Sequence, residues 1–251
     1  MDVASGTRLN LTAGDSNDHS PVSWSPDGKS VMYRMLPRND AAHPSIWSRS
    51  ADGSGSPTVV LPASLPGGRL GEARWTPDGI GVVFTHRSEQ TLSDIWYRAP
   101  RGDTVQRPLR NTAAEEFDPE ISPDGQWMAY VSTESGTHEV YLTSFPAATS
   151  RWPVSAEGGR DPVWSPDGKS ITYLTPNGRQ AIRLFVQLGP AVRITRSDTL
   201  FSIPIVTVGT FRNYDINPRD GGFIIVQRSD SVRTLVAIVN MHGDKGFASR
   251  R

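Results

Sequence analysis

One turn sequence recurs along the chain of 251 residues and constrains its fold more than any other feature. It reads WSPDG at 24–28, WTPDG at 75–79, ISPDG at 121–125 and WSPDG at 164–168, with a degraded copy, INPRDG, at 216–221. Proline presets φ at the corner of such a turn, the Asp side chain can accept bonds from nearby backbone N–H groups, and glycine supplies the left-handed conformation. Each copy therefore predicts a hairpin between two antiparallel strands.

Columns of apolar residues follow the turns and indicate the strands. The residue three positions after each turn glycine is Val31, Val82, Met128, Ile171 or Ile224, and the residue five positions after it is Tyr33, Phe84, Tyr130, Tyr173 or Val226. A spacing of two with β-branched and aromatic residues is typical of a strand. A third strand recurs as SIWSR, DIWYR, EVYLT, IRLFV and TLVAIV, and a weaker fourth follows in PTVVL, QRPLR, RWPVS and AVRIT.

These repeats predict an all-β protein, a β-propeller of four-stranded antiparallel blades. Five repeats at a period of roughly 40–50 residues fit either a five-bladed ring or part of a six-bladed one. The repeated tryptophans Trp24, Trp75 and Trp164 are expected to pack between blades.

The predicted domain is a single propeller over residues 1–242, with a flexible tail at 243–251. Its repeats fall at approximately 13–62, 63–112, 113–155, 156–208 and 209–241. Because the last repeat supplies three strands, TRLNLT at 7–12 is expected to provide the fourth and to close the ring.

Composition excludes several function classes. The 26 basic residues balance 26 acidic ones, so bulk charge gives no support to a nucleic-acid or membrane-surface partner. No run of apolar residues approaches the ~20 needed to span a bilayer, and the chain shows no signal peptide. Cysteine is absent and the five histidines lack metal-ligand spacing, so neither a metal nor another cofactor is expected.

Candidate binding residues lie where each repeat begins its first strand, at the expected mouth of a central channel. The position three residues before the strand's terminal Trp or Ile holds Glu72, Asp118, Asp161 and Asn213, and His19, Glu116, Arg160 and Arg212 lie one or two residues further back in the aligned repeats. Carboxylates gathered there could hold a cation or a basic or amide-rich segment of a partner. Alternatively, the Asp-Pro pairs at 118–119 and 161–162 only cap their own strands.

The pattern P-x-W-S-P-D-G-K-x-I-x-Y, followed by D-I-W, resembles the TolB-like, WD-type β-propeller repeats of bacteria over residues 5–241. The stretches 117–146, 151–173 and 212–228 also resemble the C-terminal, sensor-like propeller of many bacterial serine/threonine kinases. The chain has no glycine-rich loop, H-R-D or D-F-G motif, so kinase activity is not carried over. The resemblance implies about six blades and favours a periplasmic or extracytoplasmic location.

The sequence leaves two function classes open. The first is a non-catalytic protein-binding, peptide-binding or sensor module, part of a larger signalling or envelope protein. It is favoured, and no enzyme activity is expected, because the chain lacks the G-x-S-x-G nucleophile elbow of serine hydrolases. The second is an enzyme that uses the channel as its active site, either a metal-dependent lyase or a hydrolase-associated propeller.

Overall fold

A computed structural model describes residues 10–12, 15–40, 43–63, 68–88, 92–99, 105–202, 212, 214–217, 221–228 and 235–238. Regular structure in these ranges consists of β-strands. No helix among the described residues is long and apolar enough to cross a bilayer. The chain divides into two compact units, Met1–Ala114 and Glu115–Arg251, which are described separately.

The first unit contains two four-stranded antiparallel sheets, here called blades 1 and 2. Blade 1 has the order β1-β2-β3-β4 and blade 2 the order β5-β6-β7-β8, so every neighbour in a sheet is also a neighbour in sequence. Their strands are β1 Asp18–Trp24, β2 Ser30–Leu36, β3 Ser45–Ser50, β4 Thr58–Leu61, β5 Gly68–Trp75, β6 Val82–Ser88, β7 Leu92–Arg98 and β8 Gln106–Arg110.

The second unit contains three sheets, blades 3, 4 and 5. Blades 3 and 4 are four-stranded antiparallel meanders, and the described part of blade 5 has three strands. Their strands are β9 Glu116–Ile121, β10 Trp127–Ser132, β11 Glu139–Ser144, β12 Trp152–Pro153, β13 Arg160–Trp164, β14 Ser170–Leu174, β15 Gln180–Gln187, β16 Arg193–Ser202, β17 Tyr214–Ile216, β18 Phe223–Arg228 and β19 Leu235–Ile238.

The recurring turn has the predicted geometry. In the copy of blade 4 the backbone N–H of Gly168 donates to the carbonyl of Ser165 over 2.9 Å. The Asp167 carboxylate accepts from the backbone N–H of Lys169 and from the Ser165 hydroxyl, and Gly168 has φ of 68°. These hydrogen bonds hold the pKa of Asp167 below its ordinary value, the Ser165 contact being the largest cause. The same hairpin joins the first two strands of blades 1, 2 and 3.

Apolar side chains pack between neighbouring blades within each unit. In the first unit, Met32 and Ile46 of blade 1 pack with Phe84 of blade 2. In the second unit one cluster joins blades 3 and 4 around Trp164, and another joins blades 4 and 5 around Tyr214. A single four-stranded sheet cannot bury both of its faces, so this stacking is what makes each blade stable.

The tryptophan column is buried in only part of the chain. Trp164 is 5% exposed, and its indole N–H donates to the Glu120 carbonyl of blade 3 over 3.1 Å. Trp75 is partly buried against the blade 1–blade 2 core. Trp24 is 57% exposed, so the prediction that it packs between blades is wrong in this structure. Trp75 and Trp164 pack on the blade that precedes their own within their unit.

The fold class is therefore confirmed at the level of the repeat, as all-β four-stranded antiparallel blades. The predicted repeat boundaries and the choice between five and six blades stay predictions. Residues 7–9 of the predicted closing strand at 7–12 and the predicted tail at 243–251 lie outside the described residues, and residues 10–12 are not part of a strand.

Candidate functional site

A backbone irregularity marks the beginning of every four-stranded blade. The strand-entry edge is defined here as the end of a blade where its first strand begins and its second strand ends, opposite the recurring turn. At this edge the pairing of first and second strands shifts register in blades 1 to 4. Such β-bulges bend a strand and re-aim its side chains, and they are common beside functional sites.

Asp118 and Asp161 occupy these bulges in blades 3 and 4. Their φ angles are 50° and 54°, in the left-handed region that non-glycine residues rarely adopt. Aspartate tolerates this region better than most residues because its short polar side chain can bond locally. The strain is observed at the two positions that the sequence singled out, and both Asp residues precede a proline.

Arg212 joins three blades of the second unit. Its Nη1 donates to Glu120 Oε2 of β9 over 2.8 Å and to the Pro162 carbonyl of β13 over 3.3 Å. Its Nη2 lies 3.7 Å from Asp215 Oδ2 on β17. The Arg212 side chain is 10% exposed, so this guanidinium is a buried, multiply paired cation rather than a solvated surface charge.

Tyr214 connects the same region to blade 4 through its hydroxyl group. The hydroxyl oxygen lies 2.6 Å from the Asp161 carbonyl oxygen and 2.8 Å from the Thr172 carbonyl oxygen. Burial raises the pKa of Tyr214 well above its ordinary value, so the side chain is a neutral donor. The bulge at Asp161 is thereby held from the neighbouring blade.

The remaining candidates of the second unit differ in exposure. Glu116 is fully buried and Asp161 is 6% exposed. The Nε of Arg160 lies 3.6 Å from Asp161 Oδ2, and the Arg160 side chain is 23% exposed. Asp118 is half-buried, and Asn213 lies outside the described residues. Asp118 and Arg160 are therefore the predicted residues that retain solvent contact at this edge.

In the first unit the candidates are His19 and Glu72. The His19 Nε2 lies 3.0 Å from Asp15 Oδ2, and its ring meets the edge of Tyr33. Glu72 is 9% exposed, with its Oε2 3.6 Å from Arg74 Nη2. It lines a small crevice between blades 1 and 2, beside Arg34. Burial lowers the pKa of Arg34, and Glu72 opposes that shift by favouring the charged guanidinium.

Three further residues belong to the second unit's edge and were not predicted from the sequence: Glu120, Tyr214 and Asp215. Glu120 and Asp215 occupy one repeat position, immediately before Ile121 and Ile216. That shared carboxylate was a usable signal. The sequence around Tyr214 contains no such signal, because nothing in it indicates which carbonyl group the Tyr214 hydroxyl contacts.

A buried histidine of the first unit was also missed. His86, at the strand-entry edge of blade 2, is 3% exposed, and neither ring nitrogen has a hydrogen-bond partner among the described residues. Its ring lies 4.7 Å from that of Trp96, and Asp94 is directly opposite on β7. Burial lowers the pKa of His86, and the Asp94 charge only partly opposes this shift.

His86 should make the first unit sensitive to acid. Because its pKa is lower in the folded chain, the unfolded chain binds the proton more readily, and stability is lost as pH falls below the ordinary value of about 6.5. We expect His86→Met, which copies Met35 at the aligned position of blade 1, to flatten the decline in Tm between about pH 7 and pH 5. His138→Met, at an exposed histidine, is the control. An unchanged slope in His86→Met would contradict this assignment.

No metal site is evident in the described part of the chain, where no group of three His, Asp or Glu side chains could hold an ion. In each unit, the strand-entry edges carry both acidic and basic side chains. They are suited to ionic and hydrogen-bonding contacts with a polar ligand.

Comparison with curated proteins finds two relatives, and no protein-family model matches. The chain is 29% identical over 108 residues to the uncharacterized peptidase YuxL of Bacillus subtilis, covering 40% of this chain and 16% of that protein. It is 28% identical over 163 residues to the uncharacterized protein Atu1656 of Agrobacterium fabrum, covering 60% of this chain and 53% of that protein. The chain thus spans little more than half of one relative and a sixth of the other.

Solved structures share the fold at low identity. TolB from Acinetobacter baumannii superposes with a TM-score of 0.60 and 15% identity, covering 85% of this chain and 50% of that one. An oligogalacturonate lyase in complex with manganese gives 0.60 and 14%, covering 85% and 63%. A puromycin-hydrolyzing peptidase of Mycobacterium tuberculosis gives 0.55 and 17%, covering 74% and 31%. The fold is therefore a TolB-like β-propeller; the likeness to kinase-associated propellers stays a prediction.

These comparisons correct the prediction that the chain is not an enzyme. One sequence relative is named a peptidase, and the structural neighbours include a peptidase and a lyase. The absence of a G-x-S-x-G motif was the reason for excluding an enzyme. That reason is insufficient, because the chain covers only a part of the peptidases that it resembles.

Proposed function

We propose that this chain, a TolB-like β-propeller, binds an extended, basic polypeptide segment at the strand-entry edge of its second unit. The observation that supports this proposal most is the charge of that edge, which has five carboxylates and two guanidinium groups. The residues are Glu116, Asp118, Glu120, Asp161, Asp215, Arg160 and Arg212. An excess of carboxylates favours a segment that carries Lys or Arg side chains.

The arrangement of the edge supports binding rather than capping alone. Arg212 pairs with Glu120 and lies near Asp215, Arg160 lies near Asp161, and Glu116 is fully buried. The carboxylates of this edge that keep solvent contact are those of Asp118, Glu120 and Asp215. The backbone at Asp118 and Asp161 is strained, and such strain persists where the surrounding structure holds it for a purpose. Sites on rigid strands also place their groups more accurately than sites on loops.

The proposal also accommodates the peptidase relatives. A propeller that holds a polypeptide segment can present it to a catalytic part of the same protein or to a partner. The chain matches only 16% of the length of the relative that is named a peptidase and 50% of the TolB structure. In this proposal the propeller is the polypeptide-binding part, and the identity of the whole protein decides whether the bound segment is cleaved.

The test is a binding measurement with charge-removed variants. Three pools of fluorescein-labelled, unstructured decapeptides, respectively basic, neutral and acidic, are titrated with the full chain, and anisotropy is followed. We expect the basic pool to bind best. Asp118→Asn with Asp161→Asn should weaken that binding about tenfold, because asparagine tolerates the left-handed backbone while removing both charges.

The matched control removes the same charges at the opposite edge. Asp124→Asn with Asp167→Asn changes the turns of the same two blades, and asparagine can still accept the turn hydrogen bonds. This control should bind as the parent does. Equal loss in both double variants, or equal binding of all three peptide pools, would overturn the proposal. Lost stability with unchanged affinity in Asp118→Asn with Asp161→Asn would favour the capping interpretation instead.

A further inference from the structure

The outermost strand of blade 4 is different from the outer strands of blades 1, 2 and 3. In blade 1 the outer strand β4 has four residues, in blade 2 β8 contains Pro108, and in blade 3 β12 has two residues and ends at Pro153. Short length and proline are the usual means by which an exposed sheet edge avoids pairing with another chain. The strand β16 has ten residues and no proline.

The free edge of β16 is open among the described residues. Blade 4 ends at β16, which pairs with β15 on one side only. Residues Arg193 to Ser197 are exposed, and Ile194 is 45% exposed although it is apolar. Two register shifts interrupt the pairing with β15 and leave a regular run from Arg196 to Thr199 between them. A row of backbone donors and acceptors is therefore available over a short stretch.

The charged side chains of this run are complementary to those of a second copy of the run that lies antiparallel to it. If two copies of β16 run antiparallel with Ser197 opposite Ser197, Arg196 of each copy faces Asp198 of the other. Opposite charges directly across an antiparallel pair are stabilising, and like charges are destabilising. Within one chain, Arg196 Nε donates to both carboxylate oxygens of Asp198 over 2.8 and 2.9 Å. The Arg196 guanidinium also lies 4.4 Å from the centre of the Phe185 ring.

From this geometry we infer that β16 is a self-association edge: two copies of the chain join through β16 in antiparallel register about Ser197. We infer a second copy of the chain as the partner because, in antiparallel register, Arg196 of each copy lies opposite Asp198 of the other. A two-fold contact of this kind uses the same patch on both partners and closes after two copies. The register shifts on either side end the pairing after a few residues, which limits further growth.

The expected dimer is weak. One strand pair buries less than the roughly 1,200 Å² of a standard stable interface, so association should depend on concentration. Analytical ultracentrifugation of the full chain from micromolar to near-millimolar concentration is the direct measurement. We expect a reversible monomer–dimer equilibrium. A chain that stays monomeric over the whole range, or that forms open-ended aggregates, would overturn the inference.

A charge swap separates self-association from the local ion pair. Arg196→Asp places an Asp opposite Asp198 of the other copy on both sides of Ser197. This repulsion should weaken dimerisation about tenfold or more. The double variant Arg196→Asp with Asp198→Arg restores both cross-strand pairs and should return the dimerisation constant to near the parent value. If the double variant remains as impaired as the single one, the proposed register is wrong.

The matched control lies on the outer strand of blade 2. Arg107→Asp changes an exposed arginine on β8, where Pro108 interrupts the edge, and it should leave dimerisation unchanged. Circular dichroism spectra of all variants should coincide, because Arg196 and Asp198 are surface residues. Equal weakening in Arg107→Asp would indicate a general charge effect and would refute a specific role for β16.

Discussion

Replacing Trp164 by alanine is expected to lower the free energy of unfolding by about 3–5 kcal/mol. The side chain is 5% exposed and packs among Ala129, Leu142 and Leu184 of blades 3 and 4. Its loss removes apolar contact area, leaves a cavity between the two blades and takes away the hydrogen bond to the Glu120 carbonyl. Urea unfolding followed by circular dichroism measures the change.

The repeat itself supplies the control for this variant. Trp24 occupies the aligned position of blade 1 but is 57% exposed, so Trp24→Ala should cost less than about 1 kcal/mol. The two substitutions remove the same atoms from the same turn sequence, and only their packing differs. Equal effects would show that burial at this repeat position is the same in both blades, which would contradict the described structure.

The second large effect is expected from Tyr214→Phe, which should cost about 1–3 kcal/mol. The substitution keeps the ring between blades 4 and 5 and removes only the hydroxyl that meets the carbonyl oxygens of Asp161 and Thr172. The single hydroxyl proton shared between these two buried carbonyl oxygens is then lost, and no water replaces it. The same urea experiment reports the loss.

A local consequence should accompany the loss of stability in Tyr214→Phe. The hydroxyl supports the bulge at Asp161, so amide hydrogen exchange should rise at residues 160–164 more than at residues 116–121 of blade 3. A variant with parent stability and unchanged exchange would mean that the hydroxyl contributes nothing to holding the strand-entry edge.

Sequence alone predicted the repeated hairpin because its cause is local. Proline, aspartate and glycine at fixed positions determine the turn at 165–168, and the alternation of apolar residues determines the strands beside it. The first three strands of each blade were accordingly found within a few residues. The fourth strand of blade 4 was placed at 191–195, whereas β16 extends to Ser202. Edge strands are weakly specified because few contacts constrain them.

The candidate site was predictable only in part. Asp118 and Asp161 are identifiable from their repeat position, and both have a left-handed backbone; their role in binding stays a prediction. The burial of Glu116 and the position of Arg212 among three blades depend on how sheets stack, which no single repeat encodes. Trp24 shows the same limit, because its turn motif is identical to that of Trp164 although Trp24 is exposed and Trp164 is buried.

The function class was the least predictable property. The propeller pattern occurs in relatives named as a peptidase and in structures of TolB and a lyase, so fold does not select among them. Polypeptide binding is instead inferred from the charges at one edge of the second unit.

The most direct test of polypeptide binding maps where a ligand lies on the full chain. Hydrogen–deuterium exchange is measured with and without the tightest-binding basic decapeptide. The proposal predicts protection concentrated at the strand-entry edge, in peptides that include residues 116–120, 160–162 and 212–216. Protection at the recurring turns, residues 122–125 and 165–168, or no protection in the second unit, would contradict it.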